Sequence, residues 1–326
     1  MADGTKIEWT DATWNPIVGC SVVSPGCTNC YAMRLDEKAL SQPLRWRRPR
    51  KIFVCAHSDL FHEATPDEWI DRVFAVMALC PQHTFQVLTK RPKRMRDYFS
   101  TCPPALRRAA VIDRMYEIMR AEHRGYFTAI AWPLPNVWLG VTAEDKTRAD
   151  ERIPDLLATP AAKRFVSVEP MLGALNLRRI RIAPNHHTII DALEGYALTE
   201  KSSWSGSGCE HTKLDWVICG SESGPGARPM HPDWARSLRD QCAAAGVPFF
   251  MKQWGEWIPA LDRDNNDPDW RADYSREFDD RHPHKWLNLA GGCGFHGERF
   301  HVMRRVGKRA SGRLLDGVEH LAFPET

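Results

Sequence analysis

Six short apolar runs recur along the 326-residue chain, and segments with helical patterns lie between them. The runs occupy residues 51–56, 84–89, 136–142, 164–169, 214–220 and 247–253. Most of them are continuous rather than alternating in polarity, which is typical of parallel strands covered on both faces. The alternation of strands and helices predicts βα units around one parallel sheet.

Three of the intervening segments carry helix signals. Residues 65–80 begin with Thr65 as the predicted N-cap, followed by Pro66 in the first turn. Residues 231–246 end at Gly246, a predicted C-cap. Residues 143–159 predict a weaker helix that Pro154 breaks.

With one more strand before Cys20, these elements predict an α/β fold: a complete or partial (β/α) TIM-type barrel with parallel strands. We expect the barrel to occupy residues 1–257, with insertions at 101–134 and 184–213. The second insertion includes the glycine- and serine-rich segment "KSSWSGSGCEH" (residues 201–211), which predicts a flexible loop. Residues 258–326 predict an irregular C-terminal extension that packs on the barrel.

The composition favours a cytoplasmic protein without a membrane partner. No apolar run approaches the roughly 20 residues that a membrane span requires. The polar, acidic amino terminus also lacks the apolar core of a signal peptide. In a reducing compartment, clustered cysteines are more often metal ligands or catalytic groups than disulfides.

Three of the ten cysteines lie within eleven positions, as Cys20, Cys27 and Cys30, and form a C-x6-C-x2-C pattern. Three thiols are one ligand short of a structural zinc site. A [4Fe–4S] cluster held by three cysteines, however, leaves one iron free for the amino and carboxyl groups of S-adenosylmethionine. The usual spacing for that chemistry is C-x3-C-x2-C, and the first interval here is longer by three residues. We therefore predict a cluster-binding loop at residues 14–35, with the segment "YAMRL" at its end forming the first helix.

Polar residues follow each of the six apolar runs. Since the carboxyl ends of parallel strands meet at one edge of a barrel, these residues predict a functional face. The loop "GSESGPGARP" after residue 219 also resembles loops that bring backbone N–H groups close to an anion, although it lacks a P-loop ending. The candidates at the strand ends are Ser58, Asp59, Lys90, Thr142, Glu144, Ser167, Glu169, Glu222, Arg228 and Lys252.

Several long segments resemble those of a known family. They are "IEWTDATWNPIVGCSVVSPGCTNCYA", "SDLFHE", "FQVLTKRP", "NVWLGVTAED", "RFVSVEPMLG", "DWVICGSESGPGARPMHPDWARSLRDQC", "VPFFMKQWGEW" and "GKRASGRLLDG". The chain is similar in them to the three-Cys-motif proteins of phages and prophages, a family of unknown function. That family resembles a divergent branch of the radical S-adenosylmethionine enzymes.

The resemblance implies roles for residues of this chain. Cys20, Cys27 and Cys30 correspond to the ligands of a [4Fe–4S] cluster. It also implies an electron donor such as a flavodoxin or ferredoxin. The strand ends of the related barrels imply that S-adenosylmethionine is bound by Ser58, Asp59, Thr142, Glu144, Ser167 and Glu169, and that Lys90, Glu222, Arg228 and Lys252 face the substrate as catalytic residues.

Basic segments at 45–51, 90–96 and 304–309, together with the phage distribution, favour a nucleic acid or nucleotide as substrate. A solvated surface explains these segments equally well.

Two other functions remain open. The cysteines and a histidine predict a zinc-stabilised binding protein on a barrel scaffold. Alternatively, Glu169 and Glu222 predict a carboxylate-dependent hydrolase in which the thiols are structural.

Overall fold

A computed structural model of the chain describes residues 5, 7–20, 31–121, 129–182, 188–199, 209–210, 212–264, 283–291 and 299–325. In chain order its strands are β1 (Ala12–Trp14), β2 (Ile17–Cys20), β3 (Tyr31–Leu35), β4 (Lys51–Val54), β5 (Thr84–Thr89), β6 (Val137–Thr142), β7 (Lys163–Val168), β8 (Ile180–Arg181), β9 (Thr188–Asp191), β10 (Tyr196–Thr199), β11 (Cys209–Glu210), β12 (Trp216–Gly220), β13 (Phe249–Gln253), β14 (Trp257–Asp264), β15 (His284–Asn288) and β16 (Arg299–Arg305).

Helices connect most of the parallel strands. They are α1 (Glu37–Leu40), α2 (Asp67–Ala78), α3 (Pro92–Ser100), α4 (Pro104–Ala121), α5 (Lys146–Ala158), α6 (Pro232–Ala244) and α7 (Lys308–Ser311), with a 3-10 helix at Gln42–Arg45. Among the described residues, none of these helices combines the length and apolar character that crossing a membrane requires.

The main sheet has seven strands in the order β1-β4-β5-β6-β7-β12-β13. Parallel pairing is seen between β1 and β4, β4 and β5, β5 and β6, and β12 and β13. A complete (β/α) barrel has one parallel strand more. The predicted α/β fold with parallel strands is therefore confirmed, in the form of a partial TIM-type barrel.

The chain forms two compact units. Unit 1 contains residues 1–142 and 152–165, and unit 2 contains residues 143–151 and 166–326. The predicted boundary at residue 257 remains a prediction.

Unit 1 has an aromatic core beneath its strands. Trp14 is fully buried at the end of β1, its ring centroid lies 5.6 Å from that of Phe85, and its indole Nε1–H donates to the Ala39 carbonyl at 2.8 Å. Phe74 of α2 stacks on Tyr98 of α3 with ring centroids 5.7 Å apart. The buried faces of the helices thus cover the strands, as the continuous apolar runs require.

Unit 2 adds two antiparallel sheets, ordered β11-β10-β9-β8 and β14-β16-β15. The insertion predicted at 184–213 contributes strands β9, β10 and β11, and most of the loop predicted at 201–211 lies outside the described residues. The extension predicted as irregular contains three regular strands, β14, β15 and β16. Sequence reasoning missed both sheets because strands β8 to β11 are only two to four residues long and strands β14 to β16 mix polar with apolar residues.

Three local predictions are wrong. "YAMRL" is not a helix but strand β3, which pairs antiparallel with β2, with Cys20 opposite Tyr31. The N-cap of α2 is Pro66 rather than Thr65, and no side chain caps that helix. Pro154 lies inside a continuous α5 and does not break it. Helix α6 ends near the predicted position, although its C-cap is Ala245 and Gly246, at φ +65°, is the residue that follows.

Gly140 of β6 tests how tightly these strands are covered. A Cβ atom at this position would lie 2.5 Å from Cζ of Phe165. We expect Gly140→Ala to lower the free energy of unfolding by about 1–3 kcal/mol, because the ring must move out of a packed core. Urea denaturation measures this change.

The matched variant is Phe165→Leu, which removes the clashing ring edge. In a double-mutant cycle, Gly140→Ala should cost less in the Phe165→Leu background than in the wild type. Strictly additive changes would contradict the proposed contact.

Candidate functional site

Strand β2 ends at the first cysteine of the motif, strand β3 begins after the last one, and the two strands pair antiparallel as the cysteine hairpin. Cys20 is the last residue of β2. Its side chain, together with Cys27 and Cys30, lies outside the described residues. The register shifts between Val18 and Cys20, and Gly19 has φ +118°, a conformation that glycine adopts without strain. A β-bulge therefore directly precedes the first cysteine of the motif.

The base of this hairpin is fastened to the loop that follows β4. Gly19 forms a parallel bridge with Ser58, and the Ser58 hydroxyl donates to the Ile17 carbonyl at 2.6 Å. The backbone N–H of His57 donates to Oδ1 of Asn15 at 3.2 Å. The described part of the cysteine hairpin is thus held at the carboxyl end of β4, and the predicted site residue Ser58 contributes to this attachment.

Asp59 is the centre of a buried hydrogen-bond network. Its carboxylate accepts bonds from the Phe61 N–H (3.0 Å), the Thr89 hydroxyl (2.7 Å), the Lys90 N–H (3.1 Å) and Nη1 of Arg91 (3.0 Å). Asp59 is only 5% exposed. These four donors match the acceptor capacity of a carboxylate, so contact with a bound cofactor would have to replace one of them. The predicted binding of S-adenosylmethionine by Asp59 remains a prediction.

Arg91 joins Asp59 to a second carboxylate, that of Glu63. Nε of Arg91 donates to Glu63 at 2.7 Å, yet the Glu63 side chain is 65% exposed while that of Arg91 is 4% exposed. Partial burial opposes the shift, but hydrogen bonds from its own backbone N–H and from Arg91 lower the pKa of Glu63. The buried guanidinium is therefore neutralised by one buried and one exposed carboxylate.

The predicted residues at the ends of β6 and β7 are buried in their own units. In unit 1, Thr142 is 4% exposed and its carbonyl accepts a bond from Nη1 of Arg152 at 2.8 Å. In unit 2, Glu144 and Ser167 are nearly inaccessible, and their carbonyls accept bonds from backbone N–H groups. The structure thus assigns backbone contacts to all three residues, and their cofactor contacts remain predictions.

Glu169 and Lys252 form an ion pair in unit 2, with Nζ 2.6 Å from Oε1. Both side chains are largely buried, at 18% and 14% exposure. A Cβ atom on Gly220 would lie 3.3 Å from the Glu169 carboxyl carbon, so this glycine leaves room for the carboxylate. The structure therefore brings together two predicted site residues from the ends of β7 and β13.

Cys219 lies beside this pair but is not a reactive thiol. Burial, and then the charge of Glu169, raises the pKa of Cys219 well above its usual value. Its sulfur contacts the sulfurs of Met171 and Met230 at 3.8 Å. Since the thiolate is the reactive form, Cys219 is a packing residue.

Glu222 and Arg228 form a second pair in unit 2. Nε of Arg228 donates to Oε2 at 2.8 Å, its Nη2 donates to Oε1, and its backbone N–H donates to Oε2 at 2.9 Å. The Arg228 side-chain hydrogen bond lowers the pKa of Glu222, despite partial burial. Glu222 therefore carries a negative charge at neutral pH.

The glycine-rich loop around Glu222 is tied to the segment after β13. The Gly224 N–H donates to Oε1 of Glu256 at 2.9 Å, and Nη2 of Arg305 donates to the Gly224 carbonyl at 3.0 Å. The Glu256 N–H in turn donates to the Glu222 carbonyl at 3.2 Å. The loop does bring a backbone N–H to an anion, as its sequence predicts, but this anion is a carboxylate of the same chain.

His231, Asp233 and His301 form a further cluster whose candidate ligand atoms lie within 4.8 Å of one another. Nδ1 of His231 accepts a bond from the Asp233 N–H at 3.1 Å, which leaves the proton of the neutral ring on Nε2. Arg236 donates to Oδ1 of Asp233 at 2.8 Å and neutralises it. The tautomer and this cation both oppose metal binding, so the cluster supports the start of α6 rather than a metal.

Sequence reasoning missed Asn15, Gly255 and Arg305. The sequence could have indicated Asn15, because a side-chain amide close to the cysteine motif is able to hold a neighbouring loop. It could also have indicated Gly255, which lies in the turn sequence "QWGEW". No local pattern identifies Arg305, because its partner Gly224 is 81 residues away in the chain.

A family model described as "Protein of unknown function (DUF5131)" matches residues 4–39 and 33–324. The chain belongs to this family. No curated protein and no solved structure matches the chain. The predicted membership in a family of unknown function is confirmed at this level.

Asp59→Asn tests the buried network in this family member. The substitution leaves the Arg91 guanidinium buried beside a neutral amide, and losing one partner of a buried ion pair costs about 3–5 kcal/mol. We expect a matching loss in the free energy of unfolding, measured by urea denaturation. The matched control is Glu63→Gln, which removes the exposed partner of the same arginine and should cost about 1 kcal/mol or less. Equal losses would refute the assignment of Asp59 as the centre of the network.

Gly255→Ala tests the attachment of the loop around Glu222. Gly255 has φ +70°, and a Cβ atom here would lie 1.8 Å from the Glu222 carbonyl oxygen. We expect Gly255→Ala to displace the loop and to destabilise unit 2 by more than the roughly 1 kcal/mol that a left-handed backbone alone costs. Thermal unfolding and proteolysis of the loop report the two effects.

Gly246→Ala is the control for backbone strain. Gly246 has a similar φ of +65°, but a Cβ atom there would meet nothing within 4 Å. Gly246→Ala should lower the free energy of unfolding only by the cost of the left-handed backbone. The loop around Glu222 should stay as resistant to proteolysis as in the wild type. If both variants behave alike, the close approach of Gly255 to Glu222 is not what holds the loop.

Proposed function

We propose that this protein is an iron–sulfur enzyme of the radical S-adenosylmethionine type. The observation that carries the proposal is the position of the C-x6-C-x2-C motif. In the chain the motif follows the first strand of a parallel sheet, and strand β2, which ends at Cys20, is fastened to the carboxyl end of β4. Carboxyl ends of parallel strands are where such folds hold their reactive groups.

The donor set fits a cluster, because three thiolates are soft ligands that suit iron–sulfur clusters as well as zinc. When bound by three cysteines, a [4Fe–4S] cluster supplies an open iron site and an electron for the reductive cleavage of S-adenosylmethionine. Cys20 pairs with Tyr31, and Tyr31 directly follows Cys30 in the chain.

The chain's own residues would act mainly by positioning. Asn15 and Ser58 hold the hairpin, and Asp59 orders the ends of β4 and β5 that lie beneath it. In unit 2, the Glu169–Lys252 and Glu222–Arg228 pairs place a cation beside a carboxylate, an arrangement that orients a polar substrate. We assign Lys90 to the same task at the end of β5.

The partners we propose follow from the resemblance to the phage and prophage three-Cys-motif proteins. A flavodoxin or ferredoxin would supply the electron, and the substrate would be a nucleic acid or nucleotide. The cytoplasm is the compartment in which the three thiols would stay reduced.

One observation favours the zinc alternative. His57 is exposed, and its backbone is anchored to Asn15 at the base of the hairpin. We assign it as the histidine of a Cys3His site in this alternative. The hydrolase alternative gains no such support, because the lowered pKa of Glu222 is the opposite of what a general acid needs.

Metal content of the anaerobically purified protein separates the first two functions. We expect about four iron atoms per chain and a brown colour. Cys27→Ala should abolish iron loading while circular dichroism stays unchanged. The half-buried free thiol Cys102 gives the matched control, since Cys102→Ala should keep the iron.

His57→Ala makes the test decisive. It should leave the iron content unchanged if the cysteines hold a cluster, and it should remove the metal if the site is Cys3His zinc. A colourless protein with one zinc that disappears in both Cys27→Ala and His57→Ala would overturn the proposal. With iron present, reductant and S-adenosylmethionine should yield 5′-deoxyadenosine, and its persistent absence would reduce the protein to an iron–sulfur binding protein.

A further inference from the structure

Residues 41–51 form a basic segment that the proposed chemistry does not use. The stretch "SQPLRWRRPRK" contains four arginines and a lysine and has no acidic residue. It enters the fold through the 3-10 helix Gln42–Arg45, whose Pro43 and Leu44 are buried. A charged segment with a buried anchor has a fixed place on the protein, unlike a charged tail.

Trp46 gives this segment a defined conformation. Its N–H donates to the Pro43 carbonyl at 3.1 Å, and its own carbonyl accepts bonds from Nε2 of Gln82 at 3.4 Å and Nε2 of His83 at 3.1 Å. The guanidinium of Arg50 lies over the Trp46 ring, 5.2 Å from the ring centroid. The guanidinium and the half-buried indole thus form a cation–π pair.

The neighbouring arginines differ from several others in unit 1 that bond to carboxylates. Arg94 and Arg107, for example, bond to Asp67 and the buried Asp71. Arg45, Arg47 and Arg48 are exposed, and none has a carboxylate partner among the residues that the structure describes. At the end of the segment, the Asp11 carboxylate accepts a hydrogen bond from the backbone N–H of Lys51 at 2.7 Å.

The position of this segment separates it from the candidate site. It leads into Lys51, the first residue of β4, and it contacts His83, which directly precedes β5. Asp59 and Lys90 lie beyond the opposite ends of the same two strands. The basic segment therefore lies at the amino-terminal edge of the sheet in unit 1, away from the cysteine hairpin.

We propose that Arg45, Trp46, Arg47, Arg48 and Arg50 form a binding surface for single-stranded nucleic acid. The exposed guanidinium groups contact phosphates, and a base stacks on the Trp46–Arg50 pair. The aromatic ring favours nucleic acid over an acidic protein as the ligand, because binding an acidic protein surface would require only the positive charges. The strand would be held at the amino-terminal edge of the sheet, so the surface binds nucleic acid without performing chemistry on it.

Fluorescence anisotropy with a labelled oligothymidylate, measured over a range of salt concentrations, tests the surface. We expect the double variant Arg47→Glu/Arg48→Glu to bind at least tenfold more weakly. Its plot of log affinity against log salt should flatten by about 1.4, since each lost phosphate contact contributes about 0.7. Trp46→Ala should weaken binding roughly tenfold or more, with little change in the salt slope.

The matched control is Arg108→Glu/Arg120→Glu, which changes the net charge by the same amount at two exposed positions of α4. It should bind nearly as tightly as the wild type. Thermal unfolding and iron content, measured for every variant, keep this result independent of the cysteine motif.

Equal weakening in both double variants would overturn the proposal in favour of diffuse charge attraction. Unchanged oligothymidylate binding by Arg47→Glu/Arg48→Glu, with loss of reduction by flavodoxin, would overturn it in favour of an acidic protein partner.

Discussion

The buried Asp59 carboxylate is the interaction on which the polar end of unit 1 depends. It accepts bonds from residues after β4 and after β5, so one side chain sets the spacing of two neighbouring strand ends. Ser58, its neighbour in the chain, holds the base of the cysteine hairpin. A change at Asp59 would therefore be transmitted to the hairpin through the backbone of Ser58. It would not require direct contact between Asp59 and the hairpin.

The parallel sheet could be predicted from the sequence because its signal is local. Continuous apolar runs such as residues 84–89 match strands such as Thr84–Thr89 directly. The antiparallel sheets escaped because strands such as β15 and β16 mix polar with apolar residues and are stabilised by pairing with one another. For the same reason "YAMRL" looked helical, since only its pairing with β2 makes it a strand.

The sequence could also predict which polar residues lie at strand ends, but it could not predict which residues they contact. Glu169 and Lys252 are 83 residues apart, and Asp59 and Thr89 are 30 apart. Whether a carboxylate faces a ligand or a neighbouring strand depends on such long-range contacts. Glu222 illustrates this limit, because its pairing with Arg228 makes it a fixed charge where the sequence allowed an acid–base role.

The bond between Gly224 and Glu256 has a consequence for how the glycine-rich loop responds to its surroundings. A backbone N–H that already donates to an internal carboxylate is not available to free phosphate in solution. Arg305, 3.7 Å from that carboxylate, balances its charge. The conformation of the loop should therefore be insensitive to the phosphate concentration of the medium. A ligand that is to engage this loop must compete with a group whose effective concentration is fixed by the fold.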